Sequence, residues 1–166
     1  MRFRLFREEA ESVMDADTQA DGDAIRRFVG QYRFLSNFYL AECEMGGVVF
    51  ASVENAYQAA KSSSIAYRNM LVNASPAQAR RAGRTVPLVM NWDQIKSSIM
   101  LMLLRDKFSN KEMAKRLLAT GTAKLEEGNT WGDTYWGTVN GFGKNQLGLL
   151  LMIVRSELRF KYGPPE

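Results

Sequence analysis

Four carboxylates stand out for where they fall: Glu54 within the string VENAYQAAK, and Glu126, Glu127 and Asp133 within LEEGNTWGDTYWG. Carboxylates so distributed suit cleavage of a glycosidic bond. An oxocarbenium-like transition state is stabilised by a nearby negative charge, and the leaving group or attacking water needs a proton relay. The stretch from Asn129 to Gly148 adds two Trp, a Tyr and five Gly with no hydrophobic period. Glycine allows close backbone approach, and flat rings beside amide and carboxylate groups suit a ring-bearing polar ligand, so the segment reads as a binding loop. The competing reading is a glycine-rich turn with Trp131 and Trp136 plugging the core beneath it.

Composition narrows the chemistry further. The chain has no histidine and a single cysteine, Cys43. That removes the commonest general base, the Ser/His and Cys/His nucleophile pairs, any intrachain disulfide and most transition-metal ligands. Acid–base work falls to carboxylates, Lys or Tyr, and the expectation is a metal-independent, cofactor-free protein. Cys43 itself reads as a small residue on a strand. A net charge of +4 permits an anionic ligand, but the Lys and Arg are scattered, which favours a phosphorylated small molecule over a nucleic-acid groove. No apolar run suits a membrane span and the N-terminus lacks a signal-peptide core, so a cytoplasmic location without membrane association is expected. The string GFGKNQLG lacks the spacing of a P-loop and follows no strand of a dinucleotide fold, which sets both phosphate-binding readings aside.

The elements that must position these groups follow from pattern. At 166 residues one compact domain is expected, spanning 24–160, with an acidic extension at 1–23 and a tail at 161–166. Ile25 to Val29 and Leu40 to Met45 are strand candidates, and Gly46-Gly47 before Val48-Val49-Phe50 marks a hairpin, so a small antiparallel sheet opens the domain. Ser52 caps a helix with Val53, Ala56, Tyr57 and Ala60 on one face and Glu54, Gln58 and Lys61 on another. Those three polar residues either converge on a ligand or form an exposed stripe. Ser75-Pro76 starts a helix that Gly83 ends, with Arg84 following. Asn91 caps a longer helix with Ile95, Ile99, Met102 and Leu103 at helical spacing, and Ser109 or Asn110 caps the next, with Met113, Leu117 and Leu118 facing inward. A last helix from about Asn145 buries Leu147, Leu150, Leu151, Val154 and Leu158 and stops at Gly163. The fold class is α+β, helix-rich with a small antiparallel sheet.

The strings YRFLSNFYL, VENAYQAAK, AGR, NWDQIKSSIM, KF, LLATG, LEEGNTWGDTYWG and GKNQLGLLLMIVR occur in this order between Tyr32 and Arg155. Together they strongly resemble the NADAR, or YbiA-like, family. The resemblance implies N-glycosidase chemistry on ribosylamine or ADP-ribosyl compounds, either early riboflavin-pathway intermediates or ADP-ribosylated guanine. ADP-ribosylated DNA stands as one conceivable carrier. It further implies Glu54, Lys61, Glu127 and Asp133 as catalytic groups. Ser36 and Asn37 would lie at the pocket rim, with Arg84 meeting phosphate, Asn145 as a polar contact and Trp92, Trp131 and Trp136 as aromatic walls, while Gln58 counts as a substrate contact from its place beside Glu54 and Lys61 on the helix. Many members carry His where this chain has Asn55, a neutral amide that cannot exchange a proton at pH 7, which moves the acid–base burden to Glu54, Glu127 or Asp133. Lys61 offers a second route, capturing an opened ribose aldehyde as a Schiff base, or else it partners an anion. The alternative function is a non-catalytic module that binds ADP-ribose or a related nucleotide.

Overall fold

A computed structural model describes residues 23–163; the expected extension falls on residues 1–22, outside the described residues, apart from its final residue, Asp23. The described residues divide into two compact units, one made of residues 23–36 together with Thr120–Met152, the other of Asn37–Ala119 together with residues 153–163.

The first unit is built on a short parallel pairing. Strand β1 (Ala24–Ile25) runs beside β4 (Lys124–Leu125), with Ala24 opposite Lys124. The expected strand to Val29 is cut to these two residues, although Gly128 still donates its N–H to the Arg26 carbonyl. Beyond Phe28, Gly30 takes a left-handed φ of 54° and opens a 3-10 helix (Gly30–Leu35) that the sequence pattern did not announce. Ile25, Phe34, Leu35, Leu125, Leu147 and Leu151 are among its buried residues.

The second unit contains the expected hairpin. Strands β2 (Cys43–Met45) and β3 (Val48–Phe50) pair antiparallel with Met45 opposite Val48, and the Gly46-Gly47 turn has φ of 60° and 80°, the positive values a two-residue hairpin needs. Cys43 is a buried strand residue, as expected. Helix α1 (Val53–Ala60) is capped by Ser52, whose Oγ accepts from the Asn55 N–H. Helix α2 (Ile65–Leu71) was not foreseen. Helix α3 (Pro76–Ala82) opens with a reciprocal capping box between Ser75 and Gln78.

Helix α4 (Trp92–Lys107) departs from the expected register. Asn91 precedes it in the left-handed region, φ 60°, with no side-chain cap, while Ile95 and Met102 are exposed and Trp92, Met100, Leu103, Leu104 and Lys107 are buried. The inward stripe is rotated because a tryptophan and a lysine, not the aliphatic residues alone, occupy it. Helix α5 (Lys111–Ala119) is capped by Asn110, whose Oδ1 accepts from the N–H groups of Glu112 and Met113, and buries Met113, Leu117 and Leu118. Helix α6 (Gln146–Tyr162) buries all five residues of its expected stripe.

Candidate active site

Helix α1 packs against α2, α3 and α4, and all eight of its residues are buried. An amphipathic pattern therefore does not separate a wet face from a dry one here, and the polar residues of VENAYQAAK are inside rather than in a solvated stripe. Each must be matched or left wanting.

Asn55 is fully matched. Its Nδ2 donates to the carbonyls of Leu71 and Ala74 at 2.9 and 2.6 Å, and its Oδ1 accepts from the Ser52 hydroxyl at 2.7 Å. Residue 55 thus ties the cap of α1 to the turn after α2 and is wholly buried, so it is a structural tie rather than a stand-in for an acid–base group.

Gln58, beside Glu54 on the same face, is matched only in part. Gln58 Nε2 donates to Glu54 Oε1 at 2.8 Å, one helical turn apart, and the Glu54 N–H donates to the Asn37 carbonyl. Two acceptor oxygens among these groups have no hydrogen-bond partner, Gln58 Oε1 and Asn37 Oδ1, although Gln58 is 5% and Asn37 7% exposed. The Asn37 amide nitrogen meets only the Met100 sulfur, at 3.5 Å. Unmatched buried acceptors are costly, about 1–3 kcal/mol each, and suit a site whose hydroxyl-bearing occupant supplies the donors.

Lys61 follows α1 as its C-terminal cap. Its Nζ donates to the Gly83 carbonyl at 3.3 Å and lies 5.6 Å from the Tyr57 ring centre and 6.0 Å from that of Trp92. Burial lowers its pKa from the ordinary lysine value, the Glu54 charge opposes that shift, and Lys96 and Arg80 add to it. Tyr57 and Trp92 meet at 5.2 Å with tilted planes, giving the cation an aromatic wall. Arg84 is exposed just past Gly83. Four residues of this neighbourhood were not among the expected site residues: Tyr57, Arg80, Gly83 and Lys96. Tyr57 read as core because its spacing is apolar, and only the lysine four positions later signals its second use.

The remaining expected residues lie in the first unit. Ser36 closes the 3-10 helix, its N–H donating to Arg33 O. Within the aromatic loop most polar side chains are already engaged with the loop's own backbone. Asp133 Oδ1 accepts from the N–H groups of Tyr135 and Trp136 at 3.1 and 2.8 Å. Asn129 donates to the carbonyls of Asp133 and Thr138 and accepts from the Asp133 N–H. Asn145, in the left-handed region at φ 50°, accepts from the Glu127 N–H and donates to Leu125 O. Glu126 is buried, accepting from the Thr138 hydroxyl and facing Arg26 and Lys124.

The N–H groups of residues 144 to 147 at the start of α6 donate to the carbonyls of residues 134 to 137, which fills the amides a phosphate would need and accords with setting the P-loop reading aside. Trp131 is 56% exposed, so it does not plug the core, and Trp136 is half-buried with Tyr135 edge-on at 4.9 Å. No cluster of three or more His, Cys, Asp or Glu able to hold a metal occurs among the described residues, nor any helix long and apolar enough to cross a membrane.

Comparison with known proteins agrees with this architecture. A family model described as the NADAR domain matches residues 26–159. The chain is 40% identical over 132 residues to the N-glycosidase YbiA of Shigella flexneri serotype 5b, covering 76% of this chain and 82% of that protein. It is 36% identical over 131 residues to a protein of Vibrio vulnificus named a riboflavin biosynthesis protein, of which it covers 35%. The NMR structure of Escherichia coli YbiA superposes with a TM-score of 0.71 at 34% identity, over 87% of this chain and 92% of that one.

Proposed function

The chain belongs to the NADAR family and is a hydrolase of the N-glycosidase type, and from that premise we propose that it cleaves the C–N bond at the anomeric carbon of a phosphorylated ribosylamine. The observation that carries this reading is the α1 cluster: a buried Glu54 carboxylate held by Gln58, a partly desolvated Lys61 beside the Tyr57 and Trp92 rings, and two acceptor oxygens that lack donors. A ribose hydroxyl supplies the donor that Asn37 Oδ1 lacks, while Gln58 Oε1 lies covered by Gly83. Glu54 stabilises positive charge growing at C1 as the base departs with the bonding electron pair, water adds its oxygen to C1, and the proton that water gives up passes through a carboxylate to the departing nitrogen.

Lys61 supports a covalent variant of the same reaction. Its lowered pKa raises the fraction of free amine, which adds to C1 of the ring-opened sugar and expels the amine base, leaving an imine that water hydrolyses. In the aromatic loop, Asp133 acts by shaping the turn that presents Trp136. Arg84, exposed next to the cluster's Gly83, is the candidate phosphate partner.

The name of the Vibrio relative supports a ribosylaminopyrimidine phosphate as the first substrate to try, and ADP-ribosylated guanine is the second arm. Product analysis after incubation with each, with and without EDTA, tests the proposal. Release of free base and ribose phosphate, unaffected by the chelator, is expected from a chain whose residues offer only hard-cation ligands. Tight binding of both compounds with no product would turn the reading into that of a nucleotide-binding module. Borohydride added during turnover distinguishes the two routes: a protein–ribosyl adduct that Lys61→Arg abolishes assigns the imine, and its absence assigns direct attack by water.

A further inference from the structure

Gly83 ends α3 with φ −68° and ψ −11°. This is ordinary right-handed backbone, open to any L-residue, so the glycine is not there for conformational freedom. Replacing glycine by alanine at such a position would by itself stabilise the chain by limiting the unfolded state. What a side chain lacks at Gly83 is room. A Cβ built there lies 2.6 Å from Gln58 Cδ and overlaps Gln58 Oε1 outright.

The same glycine touches both chemical groups of α1. Gln58 presses its amide oxygen against the bare face of Gly83 while its amide nitrogen donates to Glu54. The Gly83 carbonyl accepts from Lys61 Nζ. The amide cannot be turned round without setting its oxygen against the Glu54 carboxylate, so the orientation of Gln58 is fixed by Glu54 on one side and by the shape of Gly83 on the other.

We propose that Gly83 is a positioning residue for the glycosidase site: its missing side chain seats the Gln58 carboxamide that orients Glu54, and its carbonyl holds the Lys61 ammonium. The inference rests on the reading of Glu54 and Lys61 as reacting groups. Gly83 itself touches neither water nor sugar in this account.

A double-mutant cycle tests it with Gly83→Ala, Gln58→Ala and the pair. Gly83→Ala is expected to lower kcat about tenfold or more with little change in KM, while thermal stability stays level or rises. In the Gln58→Ala background, where the clash is gone, adding Gly83→Ala should change kcat no further. A second readout needs no turnover: the side-chain 15N amide signal of Gln58, assigned by its loss in Gln58→Ala. In the unaltered protein it should be displaced and slow to exchange, and in Gly83→Ala it should move to the position of a free amide.

Native kcat with an unmoved amide signal in Gly83→Ala overturns the proposal, as do losses that multiply in the pair. If Gly83→Ala alone does not fold, the pair removes the overlap, and a pair that also fails to fold overturns the idea that Gln58 is what the glycine accommodates. A protein that turns over no ribosyl compound but shows the expected amide shift would sink the enzymatic reading and leave the clamp standing.

Discussion

Two regions rich in polar side chains treat them in opposite ways. In the loop from Asn129 to Asn145, Asp133, Asn129 and Asn145 each serve two or more backbone groups. Around α1, buried Gln58 and Asn37 keep acceptors with no partner, and a lysine is drawn out of water beside two aromatic rings. The loop uses its polar groups to hold an irregular backbone, which has no helix or sheet ladder to satisfy it. Helix α1 satisfies its own backbone, so a side chain such as Gln58 need not spend its acceptor on it. Richness in amides and carboxylates does not separate binding from structure; the balance of donors against acceptors does.

Substitutions can break that contrast. The largest effect is expected from Glu54→Gln, which should cut kcat/KM by roughly a hundredfold or more while leaving the melting temperature nearly unchanged. Steady-state kinetics beside a thermal melt checks it, and full activity in the variant would end the argument for α1. Asn145→Ala should show the reverse profile. It strips partners from the Glu127 N–H and Leu125 carbonyl and puts alanine at φ 50°, for a stability loss of about 2–4 kcal/mol in urea unfolding. A change in KM without loss of stability would make Asn145 a ligand contact after all.

A third test lies in the second unit, away from the Glu54 group. Lys107 is buried between the Tyr39 and Phe108 rings, 5.7 and 5.2 Å from their centres, and burial pulls its pKa down to about 7, with Arg116 adding to the shift and Cys43 opposing it. The Cys43 thiol, buried beside Asp106, is pushed up to about 12. Between pH 7 and the ordinary lysine pKa the unfolded chain holds a proton that folded Lys107 has shed, so stability rises with pH. Above about pH 8.5 the unfolded chain loses a thiol proton that folded Cys43 keeps, which acts the other way. The unfolding free energy from urea titrations should therefore climb by about 1–2 kcal/mol from pH 7 to 8.5 and then level off. Cys43→Ala should extend the climb toward pH 10, and Lys107→Met should remove it. The smallest effect is expected at the exposed Arg105–Glu157 pair, bonded at 3.0 and 2.6 Å, where Arg105→Ala should cost about 0.2–1 kcal/mol and less in high salt.

How much of this was legible depended on whether local rules or packing decided the outcome. Ser52, Ser75-Pro76 and Gly46-Gly47 act on backbone within a few residues of themselves, and the elements they start stand where the pattern puts them. The stripe of α6 is purely aliphatic and reads directly. Helix α4 does not, because burial of Trp92 and Lys107 rotates it, and spacing arguments count lysine as a surface residue. Asn55 reads in sequence as an altered catalytic position; its partners, Leu71 and Ala74, lie at the end of and just past a helix that was not foreseen. Gly83 was legible as a helix stop, but its contact with Gln58 joins residues 25 positions apart and no local pattern carries it.

The pairing of β1 with β4 constrains how the chain acquires its shape. Ala24 waits for Lys124, a hundred residues later, and each strand offers only two residues to the ladder. Closing so long a loop for so short a pairing is entropically unfavourable until other contacts have formed. During synthesis, at about 5–20 residues per second, the β1 segment therefore spends several seconds outside the ribosome with its partner not yet made. The hairpin and helices α1 to α5, all encoded within residues 43–119, can organise in that interval. The earliest strand among the described residues is thus among the last to find its place.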